Sequence, residues 1–116
     1  MAVELRPSQA LRLMHELSLA QVRDDAPDLS PRQLAILLSV YLEAPPHTVR
    51  GLAARLGVTK PVITRALDTM GALGFVSRRR DEADKRNVII QRTVEGALYL
   101  EKLGDQVVAV ARNLPR

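Results

Sequence analysis

The sequence predicts a mainly α-helical chain with one small β-hairpin. Apolar residues recur every three or four positions through most of the first 74 residues and again after residue 92, which is the period of an amphipathic helix. Between these stretches, residues 75–92 contain two segments of alternating character, as expected of two strands. With 116 residues, 47% of them apolar, the chain is expected to form a single domain over residues 1–116.

The first two predicted helices have recognisable ends. The first occupies residues 8–23, with residue 8 as its N-cap. The second begins with a capping box of Ser30 and Gln33, has Pro31 at its first helical position, and ends before Pro45-Pro46. The apolar stripe of the first helix comprises Ala10, Leu13, Met14, Leu17 and Ala20. The core face of the second comprises Leu34, Leu37, Leu38 and Tyr41.

A tight turn separates a short third helix from a fourth. The third covers residues 49–56, and Gly57 follows it because glycine tolerates a positive φ. Thr59 caps the fourth helix, Pro61 lies in its first turn, where a missing N–H costs nothing, and Gly74 ends it. The buried stripe of the fourth helix comprises Ile63, Ala66, Leu67, Met70 and Leu73.

A hairpin and a last helix complete the predicted elements. Residues 75–80 and 87–92 are expected to be strands, joined by a polar tip at residues 81–86. The last helix runs from about Thr93 to about Asn113. Its apolar residues follow the spacing of a helix that packs on another helix. They are Leu100, Leu103, Val107, Val110 and Leu114.

Two helices joined by three residues and followed by a hairpin predict a winged helix-turn-helix. Ala53 is small at the point where the two helices would cross. We assign residues 48–74 to the helix-turn-helix and residues 75–92 to the wing. We expect the flanking segments, residues 1–28 and 93–116, to be helical.

The exposed side of the fourth helix carries candidate DNA contacts. A major groove admits one α-helix, whose first residues reach the base edges. Threonine hydroxyls bond bases or phosphates, and the planar fork of Arg65 could pair with a guanine. The alternative is a solvated polar face, which any amphipathic helix has. The candidate recognition residues are Thr59, Lys60, Pro61, Thr64 and Arg65.

The hairpin tip is cationic. A basic wing can lie along phosphates and insert an arginine into a narrow minor groove. Asp84 is placed to brace Arg86 by a charge-assisted hydrogen bond. The alternative is a charged edge that discourages aggregation, but the neighbouring recognition helix favours DNA contact. The candidate wing residues, which follow Arg78, are Arg79, Arg80, Lys85 and Arg86, with Asp84 as support.

The charge distribution also favours an anionic partner. Residues 1–46 have a net charge of −2, whereas residues 47–116 have a net charge of +6. Fourteen of the 17 basic residues are arginine, which suits phosphate and guanine contacts. Codon usage in a GC-rich genome explains the arginine excess equally well, but it does not explain the clustering.

Composition disfavours several functional classes. The chain has no cysteine, and His15 and His47 lack ligand spacing, so we expect no metal site. We find no nucleophile–base pair, paired carboxylates or phosphate loop, so we expect neither an enzyme nor a cofactor. One Phe and two Tyr are too few for stacking on single-stranded nucleic acid or RNA. No apolar run approaches the roughly 18 residues of a membrane span and the first residues do not resemble a signal peptide, so we expect a cytoplasmic protein with no membrane contact.

Four segments within about residues 29–103 resemble one known family. Residues 48–61 are similar to its helix-turn-helix, residues 74–78 to its passage into the first wing strand, and residues 93–96 to the start of its penultimate helix. The triplet Asp84-Lys85-Arg86 matches its Asp-x-Arg wing signature. This is the MarR family of bacterial transcription regulators.

The resemblance implies a homodimer whose two recognition helices enter successive major grooves of a pseudo-palindromic operator. It also implies that the terminal helices form the dimer interface. Many members bind small phenolic or anionic effectors. The chain is shorter than usual, and Arg92 stands where a leucine generally precedes the threonine, so we expect a more exposed strand end. The predicted interface residues are Leu13, Leu17, Leu100, Leu103, Val107, Val110 and Leu114.

The sequence therefore predicts a sequence-specific regulator of transcription that binds duplex DNA. We expect a repressor that a small-molecule effector can relieve, although the position of the binding site relative to a promoter decides the direction of control. The alternative is a winged-helix module that binds another protein without specific DNA binding. Such modules usually lack a basic wing.

Overall fold

Residues 3–115 are described by this computed structural model and form five α-helices and three β-strands. The elements are α1 (Pro7–Arg23), α2 (Pro31–Leu42), β1 (His47–Thr48), α3 (Val49–Leu56), α4 (Lys60–Ala72), β2 (Val76–Arg80), β3 (Val88–Arg92) and α5 (Val94–Arg112). The five helices and the hairpin confirm the predicted fold class. The short strand β1 was not predicted.

Local capping determines where the first two helices begin. The Gln33 N–H donates to Ser30 Oγ over 3.1 Å, and the Ser30 N–H donates to Gln33 Oε1 over 2.9 Å, which confirms the capping box of α2. The predicted N-cap of α1 at Ser8 is wrong, because α1 begins at Pro7 and its N-cap is Arg6. Proline at the first helical position needs no hydrogen bond for its nitrogen.

The described residues group into two compact units. The winged unit comprises residues 29–100, and the terminal unit comprises residues 3–28 and 101–115. Every apolar side chain that is buried among the described residues lies in the winged unit. These side chains are Ile36, Leu37, Val40, Leu52, Ala53, Ile63, Ala66, Leu67, Met70, Phe75, Val76 and Ile90.

Two details of the predicted core are wrong. The core face of α2 is centred on Ile36, Leu37 and Val40, whereas the predicted Leu34, Leu38 and Tyr41 are only half-buried. In α4, Leu73 is 36% exposed because the helix ends at Ala72 and the chain turns away at Gly74, where φ is 79°.

The turn between α3 and α4 has the predicted geometry. Thr48 Oγ1 caps α3 by accepting the Gly51 N–H over 2.9 Å. Gly57 has φ 70° and ψ 35°, the left-handed conformation that favours glycine. The Val58 N–H then donates to the Ala53 carbonyl over 3.0 Å and closes the turn. This tight turn brings the start of α4 to the surface.

The three strands form an antiparallel sheet in the order β1-β3-β2. Arg78 is paired with Ile90, and Arg80 with Val88, so these two arginines share the face of the sheet that carries the buried Val76. Arg79 is paired with Ile89 and lies on the opposite face. The pleat therefore separates consecutive arginines of the wing.

A polar junction within the winged unit holds the start of α5. Tyr41 Oη accepts the Thr93 N–H over 2.9 Å and lies 3.0 Å from the Phe75 carbonyl oxygen. Arg92, at the end of β3, is exposed but donates from Nε to the Val40 carbonyl over 2.9 Å. A Cβ at Gly96 would overlap Tyr41 Oη and the Phe75 carbonyl. Glycine is required at residue 96 because the junction approaches the helix so closely.

The terminal unit is held by polar contacts around Asp24. The Asp24 carboxylate accepts hydrogen bonds from Lys102 Nζ and Gln106 Nε2, each over 3.0 Å. It also accepts one from the Ala26 N–H over 3.1 Å. No side chain of the terminal unit is fully buried among the described residues. Across residues 3–115, we also find no helix long and apolar enough to span a bilayer.

The predicted interface residues occupy two different environments. Leu100 contacts the core of the winged unit. The other six are half-buried in the terminal unit and are Leu13, Leu17, Leu103, Val107, Val110 and Leu114. Their role in dimerisation stays a prediction.

Candidate nucleic-acid interface

The first half of α4 presents a continuous polar surface. Its buried side is formed by Ile63, Ala66, Leu67 and Met70, which leaves the opposite side in solvent. Thr59 has the backbone conformation of an N-cap, but its side chain makes no capping hydrogen bond. All five predicted recognition residues are exposed, namely Thr59, Lys60, Pro61, Thr64 and Arg65.

An ion pair that was not predicted connects α4 to the wing. Arg78 Nη1 lies 2.8 Å from Asp68 Oδ1, and the two side chains are 34% and 61% exposed. An exposed pair of this kind contributes little to the free energy of folding. It does neutralise a carboxylate on the exposed side of α4, at a point where β2 lies beside that helix. Helical periodicity carries no signal for this contact, because it joins a helix to a strand.

The wing tip is ordered by its own carboxylates. Arg86 donates from Nε to Asp84 Oδ1 over 3.0 Å and from Nη2 to Asp84 Oδ2 over 3.1 Å. The Arg86 N–H also donates to Asp84 Oδ1, and the Ala83 N–H donates to Asp81 Oδ1 over 2.9 Å. The predicted bond between Asp84 and Arg86 is therefore present. The Arg86 guanidinium is held by a planar two-point contact.

This contact shifts the pKa values of both of its partners. The Arg86 guanidinium, followed by the Arg86 N–H, holds the pKa of the Asp84 carboxyl below its usual range. In turn, Asp84 raises the pKa of Arg86. Arg50, exposed in the first turn of α3, also favours the ionised carboxylate of Asp84 through its positive charge. Arg50 was not among the predicted site residues, and only the folded chain shows that its charge reaches the wing.

The predicted wing residues are not all on one side of the sheet. Arg80 donates from Nη1 to the Lys85 carbonyl over 2.8 Å, so it belongs to the tip together with Lys85 and Arg86. Arg79 lies on the other face of the sheet, where it borders a shallow cavity with Ile89 and Gln91. The structure therefore brings three of the four predicted wing cations together.

The described residues offer no arrangement for metal chemistry. No group of three or more His, Cys, Asp or Glu side chains within residues 3–115 could hold a metal ion. His47 Nε2 lies 3.1 Å from the Glu43 carbonyl oxygen and contributes to local structure. The polar surface of α4 and the wing tip are both suited to binding an anionic partner.

A family model described as the MarR family matches residues 27–87. The HTH-type transcriptional repressor YetL of Bacillus subtilis is 41% identical over 76 residues, which are 64% of this chain and 45% of that protein. This chain spans about half the length of the curated relatives that it matches.

Solved structures share the fold. The YusO protein of Bacillus subtilis has a TM-score of 0.76 at 19% identity, covering 91% of this chain and 72% of that one. Reduced AbfR, solved bound to DNA, has a TM-score of 0.66 at 24% identity, covering 88% of this chain and 71% of that one.

Proposed function

The chain belongs to the MarR family, and from this premise we propose that it binds duplex DNA and regulates transcription as a homodimer. The observation that carries the proposal is the pairing of Asp68 with Arg78 over 2.8 Å. At this contact β2 lies beside the exposed side of α4, so one helix and one cationic tip are displayed by the same unit. Such a pair of elements suits a groove and its adjoining phosphates.

In the proposed complex, α4 enters a major groove. Lys60, Thr64 and Arg65 are exposed near its start, which is the part of a recognition helix that reaches bases and phosphates. Thr59 and Pro61 complete this set of predicted contacts. Support at the level of fold comes from AbfR, which has been solved bound to DNA.

The wing contacts the neighbouring minor groove through Arg86. Asp84 holds the guanidinium of Arg86 in place before DNA arrives, so binding orders fewer side-chain torsions. Lys85 and Arg80 add positive charge at the same tip. Because the minor-groove potential is most negative where the groove is narrow, we expect a preference for A·T-rich sequence beneath the wing.

Dimerisation is assigned to the terminal unit. The predicted interface residues Leu13 and Leu17, like those of α5, are only half-buried. On another side of α1, Leu11, Met14 and Val22 are more than half exposed. A second copy that covers this surface would remove apolar area from water. A two-fold axis between copies would match a pseudo-palindromic operator.

The name of YetL supports a role in repression. A cytoplasmic location and relief by a small-molecule effector complete the proposal.

Selection from a random pool tests the proposal. Immobilised protein is incubated with random duplexes of about 30 base pairs, which accommodate two half-sites one helical turn apart. We expect an inverted repeat to be enriched. If a dimer contacts about ten phosphates, the logarithm of its affinity for the selected duplex falls against the logarithm of salt concentration with a slope near −9.

Two outcomes contradict the proposal. One is a pool that shows no enrichment, and the other is equal affinity for the selected duplex and a scrambled duplex of the same composition. A winged-helix module that binds only protein would give the first of these results.

A further inference from the structure

A shallow cavity lies where the start of α2 approaches α4. Its volume is about 200 Å³, and it is lined by Arg32 and Gln33 of α2 and by Val62, Arg65 and Thr69 of α4. Both arginine side chains belong to exposed residues. The fold thus places two guanidinium-bearing residues, 33 positions apart in sequence, around one opening.

Most other polar groups of the cavity already have partners. Ser30 and Gln33 satisfy each other through the capping box, and Thr69 Oγ1 donates to the Arg65 carbonyl over 3.4 Å. None of the described residues that line the cavity carries a carboxylate. The two positive charges therefore have no carboxylate partner within the cavity, and an anion bound there would be attracted by both.

The cavity lies on the flank of α4 rather than at the middle of its exposed side. Val62, Ala66 and Thr69 follow one another along this flank and face the start of α2. An α-helix with its side chains is about 10–12 Å across, and a major groove is about 12 Å wide. The flank of a helix in the groove therefore faces the groove wall, where the phosphates lie.

We propose that Arg32 and Arg65 together bind a single phosphate of the DNA backbone at the wall of the groove that α4 enters. This inference rests on the proposed function. It gives Arg65 a positioning role in place of the guanine contact considered from the sequence, and it adds Arg32 as a contact from outside the helix-turn-helix. The guanidinium groups suit this role because each can donate two parallel N–H bonds to phosphate oxygens.

Binding of alanine variants to two duplexes tests the proposal. The probes are the duplex selected from the random pool and a scrambled duplex of the same composition. We expect Arg32→Ala and Arg65→Ala each to weaken binding to both duplexes by about tenfold and by similar factors, with a salt slope smaller by about one per subunit. Both side chains hold the same phosphate. The affinity of the double variant should therefore fall by a factor much smaller than the product of the two single-variant factors.

Arg12→Ala is the matched control, because it removes one exposed positive charge from α1. It should leave both affinities nearly unchanged. Thermal unfolding of every variant checks the fold. Three results would overturn the proposal. They are wild-type affinity in Arg32→Ala, losses of binding free energy that add up in the double variant, and an altered base preference when Arg65→Ala is taken through a new selection.

The failure of this proposal is distinguishable from failure of the proposed function. If the wild-type protein enriches no duplex, the proposed sequence-specific DNA binding is refuted. If the wild-type protein binds and only the arginine variants behave otherwise than expected, the phosphate contact alone is refuted.

Discussion

The winged unit and the terminal unit differ in how they bury apolar side chains. The winged unit encloses Ile36, Leu37, Ile63, Leu67 and Met70 completely. Among the described residues of the terminal unit, no side chain is fully buried, and Val22 is 76% exposed. The winged unit thus has a core of its own, whereas the terminal unit leaves apolar surface that another surface can cover.

Polar contacts follow the same division. In the winged unit, ion pairs and hydrogen bonds orient groups at the surface, such as Arg86 at the wing tip. In the terminal unit, Asp24 joins the end of α1 to α5 through Lys102 and Gln106. The comparison teaches that the buried core and the proposed DNA contacts are concentrated in one unit, whereas the other leaves apolar surface suited to association.

The largest expected effect is the loss of a core side chain. Leu67 is 0% exposed, so Leu67→Ala should lower the free energy of unfolding by about 2–5 kcal/mol. Leu11 is 72% exposed. In dilute protein, Leu11→Ala should therefore change the free energy of unfolding by less than about 0.5 kcal/mol. Urea denaturation at low protein concentration measures both. Similar losses in the two variants would contradict the division into a buried core and an uncovered surface.

Glutamates introduced on the exposed side of α1 should dissociate the proposed dimer. We expect Leu11→Glu combined with Val22→Glu to give monomers, because both side chains face solvent in the chain and a carboxylate in an apolar interface is costly. Sedimentation velocity measures the mass. Leu42→Glu is the control, since Leu42 is 78% exposed in the winged unit. A dimer that survives the double substitution would exclude this side of α1 as the main interface.

Loss of the wing arginine should affect DNA and spare the fold. Arg86→Ala removes an exposed guanidinium whose described bonds involve only Asp84. We expect affinity for the selected duplex to fall by about 10- to 100-fold, while the melting temperature stays nearly unchanged. Fluorescence anisotropy and thermal unfolding measure the two quantities. Normal affinity in Arg86→Ala would contradict the assignment of the wing.

The smallest expected effect is on the stability of the terminal unit at acidic pH. The hydrogen bond from Lys102 is the main cause that lowers the pKa of Asp24 below its ordinary value of 3.8. Because the folded pKa is depressed, this contribution to stability is complete above pH 3.8 and is lost as the pH falls through the folded value. Asp24→Asn should therefore show a shallower loss of melting temperature on acidification than the wild-type protein. Identical profiles would show that Asp24 does not stabilise the terminal unit through its charge.

Local signals made most of the fold predictable. The capping box of Ser30 and Gln33 joins residues three apart, and the left-handed conformation of Gly57 is needed where α3 ends. The exposed side of α4 follows from the spacing of its apolar residues, and the bond between Asp84 and Arg86 spans two positions. Each of these features depends on neighbours in the sequence, so the pattern of residues contains it.

Other features arise only when distant segments meet. β1 forms because His47 is paired with Ile90, and no alternating pattern of two residues could predict it. The contact between Asp68 and Arg78 requires a helix to lie beside a strand, and the placement of Arg32 and Arg65 around one cavity requires two helices to converge.

The amino-acid sequence by itself determined the order of the helices, the capped start of α2, the glycine turn, and the residue types that face solvent on α4. Only the tertiary structure decided which arginines share a surface, which face of α2 is buried, and which cations are already paired. The physical reason is the distance along the chain over which each interaction acts. Helix periods and caps act over three or four residues, whereas the direction of a side chain across the wing or a cavity depends on where the chain returns in space.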